Sequence, residues 1–187
     1  MRPVIARLVA ACAAAALAPS ALTACSGASG SSPGSGATPT YELPAERVRD
    51  GERAVRGRTG RSADLEFTVL GYRDGIREIL GTHAGMVPKG RYARVRILVV
   101  NRGRDIQVFD TWKQVLLTAD GRAHVPDVNA TMVKRQPERL SVGAAMRAEF
   151  DLWYDVPGTT PVRGIRLFGW PTVGAVSDPP GAEIRLP

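Results

Sequence analysis

The stretch Tyr92 to Val100, YARVRILVV, constrains this chain more than any other. Val95, Ile97 and Val99 alternate with Arg94 and Arg96, the period of two that marks a strand with one face buried. The pattern recurs in Asp64 to Val69, where Leu65, Phe67 and Val69 share a face. It returns at Met146, Ala148, Phe150 and Leu152, opposite Arg147, Glu149 and Asp151. Shorter runs at Gln114–Thr118, Arg122–Val125, Leu140–Gly143 and Gly164–Phe168 read as further strands, the last with Ile165 and Leu167 inward. Glu183 to Leu186 adds an edge strand to a proline-rich tail that follows the surface from Gly169. Asn101-Arg102-Gly103, Asp120-Gly121 and Asp155-Val156-Pro157-Gly158 supply turns between them. Beyond residue 53 no segment carries a convincing helical period. Ile76 to Thr82 is taken as a strand and Pro126 to Glu138 as a loop. Short alternating strands with regular turn signals predict an all-β fold, a single antiparallel sandwich.

The N-terminal region has a different character. Arg2 and Arg7 precede an alanine-rich apolar run from Leu8 to Leu22, the layout of a secretory signal peptide. Leu22-Thr23-Ala24-Cys25 ends it in small residues directly before a cysteine. This resembles the lipobox of bacterial lipoproteins. The resemblance implies a diacylglyceryl thioether at Cys25, cleavage between Ala24 and Cys25, and anchoring at the outer face of the cell membrane. The alternative of an uncleaved membrane helix over Val4–Ala24 has sufficient length, but it relies on weakly apolar alanines and contains Pro19.

Cys12 lies in the segment that would be removed, so the mature chain keeps Cys25 alone and forms no internal disulfide. Ser26 to Thr40 (SGASGSSPGSGATPT) is uncharged and cannot bury enough apolar surface to order itself. With the charged stretch to Glu52 it forms the expected tether, residues 25–52, whose mean span as a random coil is ~28 Å. Residues 53–187 form the expected domain, large enough for its own core. The tether's serine, threonine and proline content also resembles O-mannosylated linkers of secreted actinobacterial proteins.

The full chain holds 25 basic and 18 acidic residues; without Arg2 and Arg7 the mature net charge is +5. Only Lys89, Lys113 and Lys134 are lysines, and arginine with abundant alanine points to a GC-rich, actinobacterial genome. The charge suits anionic lipids or wall polymers as well as ordinary solvated sheet faces. Nucleic acid is a poor partner for an exported chain with no binding module for it.

Gly90 to Gly103 (GRYARVRILVVNRG), Leu117-Thr118-Ala119-Asp120-Gly121, Leu140 to Gly143 and Phe150-Asp151-Leu152 to Val156-Pro157 together resemble the telokin-like, immunoglobulin-like extracellular domains of Gram-positive lipoproteins, a family of unknown function. The resemblance covers about residues 53–170. It implies an immunoglobulin-like sandwich and transfers no catalytic residue. The arginines on the outward face of the Tyr92 strand depart from the usual pattern.

Chemistry is sparse. His83 and His124 are the only histidines. His124-Val125-Pro126-Asp127 offers two donors where tight metal sites need three or four, so no metal and no cofactor are expected. No G-x-S-x-G elbow presents a nucleophile, and Gly85–Gly90 (GMVPKG) lacks a phosphate-loop ending. Glu149 and Asp151 share a strand face as a carboxylate pair, beside Arg147 for cross-strand pairing. Asn129-Ala130-Thr131 matches a glycosylation pattern by chance.

Adjacent Trp153 and Tyr154 must point to opposite faces, leaving one at the surface or a groove. With Arg94, Arg96 and Arg147, Trp153 forms a candidate aromatic and basic surface for a polyanion or glycan. The leading expectation is a non-enzymatic envelope lipoprotein presenting an interaction domain to an envelope protein or anionic wall polymer. A lipid or glycolipid carrier with an internal apolar cavity is the alternative, and a wall-modifying enzyme the second alternative.

Overall fold

The computed structural model describes residues 47–82, 85–171 and 176–187. The chain divides into two units, Met1–Leu43 and Pro44–Pro187, and all described residues belong to the second. The signal peptide, Cys25, most of the tether and His83 lie outside the described residues.

The described residues of the second unit are all-β apart from two short helical turns. One sheet is built on β3 (Leu65–Ile76), β6 (Arg91–Asn101) and β11 (Arg147–Val156), all antiparallel. The short β1 (Arg53–Ala54) and β2 (Thr59–Ser62) both pair along β3. A second sheet runs β13 (Ala182–Arg185), β12 (Val162–Leu167), β8 (Val115–Thr118), β9 (Ala123–His124). Two small antiparallel pairs complete the set: β4 (Ile79–Leu80) with β5 (Gly85–Met86), and β7 (Gln107–Asp110) with β10 (Arg139–Val142).

The period-two reading predicts the inward faces correctly. Leu65, Phe67, Val69, Val95, Ile97 and Val99 are fully buried, and Ile165 and Leu167 meet them from the second sheet. Leu116, Ile165 and Ile184 stand in one cross-strand row. Phe109 lies between Phe67 and Phe150, with ring centroids 6.1 and 4.7 Å away in edge-to-face packing. The tail does return an edge strand, β13.

Four expectations change. Pro126–Glu138 is not all loop: it contains α1 (Val128–Val133), started by Asp127, whose carboxylate accepts from the Ala130 amide at 2.7 Å. Six residues are too few to show a helical period. Of Ile76–Thr82, only Ile79–Leu80 is a separate strand, and Ile76 ends β3. Met146 is exposed rather than inward, because Ala145 adopts φ 59° and β11 starts only at Arg147. The tether does not run to Glu52, whose side chain is wholly buried against the first sheet. Among the described residues no helix is long and apolar enough to cross a membrane.

Candidate functional site

The outer face of the first sheet carries every residue of the expected aromatic and basic surface. Alternation along β6 puts Tyr92, Arg94 and Arg96 on that face, and along β11 it puts Arg147, Glu149, Asp151 and Trp153 there. In register, Arg96 is opposite Asp151 and Arg94 opposite Trp153.

The chain leading into the domain lies across this face. Asp50-Gly51, with Gly51 at φ 69°, turns it so that the Glu52 amide donates to the Arg49 carbonyl at 3.0 Å. Glu52 then drops its carboxylate onto the strand at Gly71. A Cβ on Gly71 would stand 2.1 Å from Glu52 Cδ, so only glycine leaves the room. Arg96 donates to Glu52 from Nη2 at 2.8 Å and from Nε at 3.1 Å, and its Nη1 reaches Glu149 at 3.1 Å. Its remaining Nη2 contact is the Arg47 carbonyl at 2.9 Å. Arg94 reaches Glu52 at 3.3 Å, and Arg49 bridges Glu149 at 2.7 Å and Asp151 at 2.9 Å. Three arginines thus face three carboxylates, and the charges balance.

Burial alone would raise the Glu52 carboxyl. The hydrogen bonds from Arg96 and the Arg49 amide, with the charges of Arg96 and Arg94, outweigh it and hold Glu52 below the usual range. Asp151 goes the other way: burial raises it more than Arg94 and Arg49 lower it. Arg96 also loses by burial but is held more firmly protonated by Glu52 and Glu149.

This cluster corrects the expected ligand surface. Arg96 is buried, Arg94 is mostly covered, and both hold the protein's own lead-in segment; Arg147 is exposed outside the cluster. Glu149 and Asp151 are neutralised by Arg49 rather than by Arg147. Within the cluster Arg94 Nε is buried without a hydrogen-bond partner. Sequence reasoning missed Arg49 and Glu52, although Asp50-Gly51 was a legible turn signal.

Trp153 and Tyr154 are both buried, against the expectation that one would be open. Tyr154 enters the main core. Trp153 sits on the outer face in a second small core with Tyr92, Ile79 and Ala130, edge-to-face with Tyr92 at 6.5 Å. The β4–β5 pair and α1 make this cover. Lys134, closing α1, donates to the Leu80 carbonyl at 2.8 Å and stands 6.0 Å from the Trp153 ring centroid.

An open concavity of about 760 Å³ flanks α1, lined in part by Lys89, His124, Val125, Asp127, Val128 and Asp155. Its two carboxylates are already engaged. Asp127 caps α1, and Asp155 accepts from the Lys89 and Gly90 amides at 2.7 and 3.0 Å. His124 Nε2 lies 3.1 Å from Thr118 Oγ1, but that hydroxyl donates to Asp120 at 2.6 Å. The order is histidine, hydroxyl, acid, so the Thr118 hydroxyl directs its proton at the Asp120 carboxylate rather than at the histidine that would need to take it. Among the described residues no three His, Cys, Asp or Glu side chains are grouped to hold a metal.

No family model matches the sequence, and no curated protein matches it. The fold is similar to the yjhA protein from Bacillus subtilis, with 12% identity and a TM-score of 0.46 over 62% of this chain and 81% of that one. It is similar to a conserved hypothetical protein from Bacillus anthracis, with 11% identity and a TM-score of 0.46 over 71% of this chain and 95% of that one.

Proposed function

We propose that this protein is a non-enzymatic cell-envelope lipoprotein, fixed to the outer face of the cell membrane through Cys25 and presenting an immunoglobulin-like interaction domain. Leu22-Thr23-Ala24-Cys25, placed after a basic start and an apolar run and before a Gly/Ser-rich spacer, carries the reading. Two acyl chains bind a bilayer stably where one binds marginally, at roughly 0.8 kcal/mol per buried methylene. The non-enzymatic part is supported by the prior engagement of Asp127, Asp155 and the Thr118 hydroxyl. The edge-to-face packed Phe67, Phe109 and Phe150 occupy core space that a carried lipid would need, which favours an interaction domain over a carrier.

Cys25→Ala tests the anchor. The variant is expected in the culture medium or as an unprocessed precursor, while the parent chain partitions into detergent. Unchanged detergent partitioning of the variant would count against lipidation.

A further inference from the structure

We infer that the outer face of the first sheet, at the end covered by α1 and the β4–β5 pair, rests on the membrane surface and binds the headgroups of anionic lipids. This deepens the proposed lipid anchor and rests on it. Leu80, Val87, Val125, Val128 and Met132 are large apolar residues between 52% and 73% exposed. Single exposed apolar residues are ordinary, but a group of them marks a contact surface. They are grouped: Val128 and Met132 share the open side of α1, and Val125 and Val128 line one concavity with Lys89. Leu80 is tied to the helix end through Lys134, and Val87 follows directly on β5.

The surrounding charges suit lipid phosphates. Arg77, Lys89 and Arg135 are exposed and make no ion pair among the described residues, whereas Asp127 and Asp155 are occupied by backbone amides. Glu78 is the exposed acid of this region. Cations ringing apolar tips are the pattern of interfacial binding to anionic bilayers.

Placement follows from the path of the chain. The lead-in segment docks on this same outer face, Arg49 and Glu52 against Arg96 and Asp151, one strand position from Trp153. Only 21 residues separate Cys25 from Arg47. A Gly/Ser-rich coil of that length averages about 25 Å, less than the roughly 35–40 Å width of a domain this size. With the proposed anchor at Cys25, a tether of that average span would hold the face where the chain arrives nearest the bilayer.

The cysteine inventory makes the test simple, since a mature lipidated chain has no free thiol. Met132→Cys in the full-length protein, purified from membranes and labelled with a polarity-sensitive fluorophore, is reconstituted in vesicles with or without phosphatidylglycerol. With brominated phospholipid as quencher, the label is expected to lose about half its emission or more on phosphatidylglycerol vesicles. Met146→Cys, exposed but remote from the lid, should stay unquenched, and adding Leu80→Glu and Val87→Glu to Met132→Cys should abolish the effect. One label per chain with no quenching at Met132 overturns the docking and leaves the anchor standing. Quenching that is equal at Met132 and Met146 also overturns it. Protection of the Met132 label that appears only on adding another envelope protein assigns the surface to that protein instead. Two labels per chain reveal a free Cys25 thiol, and anchor and docking then fall together.

Discussion

Two ends of one sheet face are buried by opposite means. At the Gly71 end, Glu52 and Arg49 bring charge down onto Arg96, Glu149 and Asp151. At the other end, β4–β5 and α1 lay Ile79 and Ala130 over Tyr92 and Trp153. The strands are the same and the alternation is the same; only the covering segment differs. The ionic end gains specificity of placement, since a guanidinium and a carboxylate fit in few geometries. It gains little net stability, because desolvation offsets much of the attraction. The aromatic end gains stability from area and packing and tolerates a looser cover. Arg94 joins them, reaching Glu52 on one side and lying 5.7 Å from the Trp153 ring centroid on the other.

Single substitutions separate the two ends, and two of them carry the largest expected effects. Arg96→Ala leaves the buried Glu52 with Arg94 at 3.3 Å as its remaining cation and should cost ~3–5 kcal/mol, while Trp153→Ala empties the small core at a similar ~3–5 kcal/mol. Urea unfolding gives both values. Replacing Glu52 and Arg96 together by leucine and methionine distinguishes the mechanisms: near-parental stability supports an ion pair that places rather than stabilises. Gly71→Ala should cost about 1–3 kcal/mol by expelling the Glu52 carboxylate. Hydrogen exchange should show Arg49–Glu52 opening in that variant while the lid stays protected. An unaltered lead-in segment would contradict the geometry at Gly71.

A smaller effect is expected at the lid. Asp127→Ala removes the cap of α1 and should cost about 0.5–2 kcal/mol, with faster exchange at Ala130 and Thr131 and no change at Glu52. The smallest is a pH dependence of opposite sign at two neighbouring carboxylates. Glu52 is depressed in the folded state, so its stabilisation is full above its ordinary 4.5 and fades as pH falls through its folded value. Asp151 is raised, so its contribution turns unfavourable as pH climbs from 3.8 through its folded value. Glu52→Gln should flatten the loss of stability in acid, and Asp151→Asn should steepen it. Equal slopes in both variants would refute the opposed shifts.

The sheet's inner face was legible because period-two alternation fixes orientation once any residue of a strand is known to be inside. Phe67, Ile97 and Leu152 needed nothing more. The outer face was not legible, because alternation says which side a residue points to and not what lies over it. Arg96 reads as solvated in YARVRILVV, yet its partner arrives from 44 positions earlier. Trp153 reads as half-exposed for the same reason, since a six-residue helix and a two-residue strand form its cover. The concavity beside His124 shows the converse. His124 and Asp127 stand near one another in sequence, but capping of α1 had already taken that acid.

In the proposed reading, fixation through Cys25 would turn this outer face, rather than any other, to the bilayer. The mass of the N-terminal peptide from protein purified out of native membranes tests it most directly. A peptide beginning at Cys25 and heavier by a diacylglyceryl group is the predicted result. A peptide beginning at Met1, or an unmodified Cys25, would contradict the account.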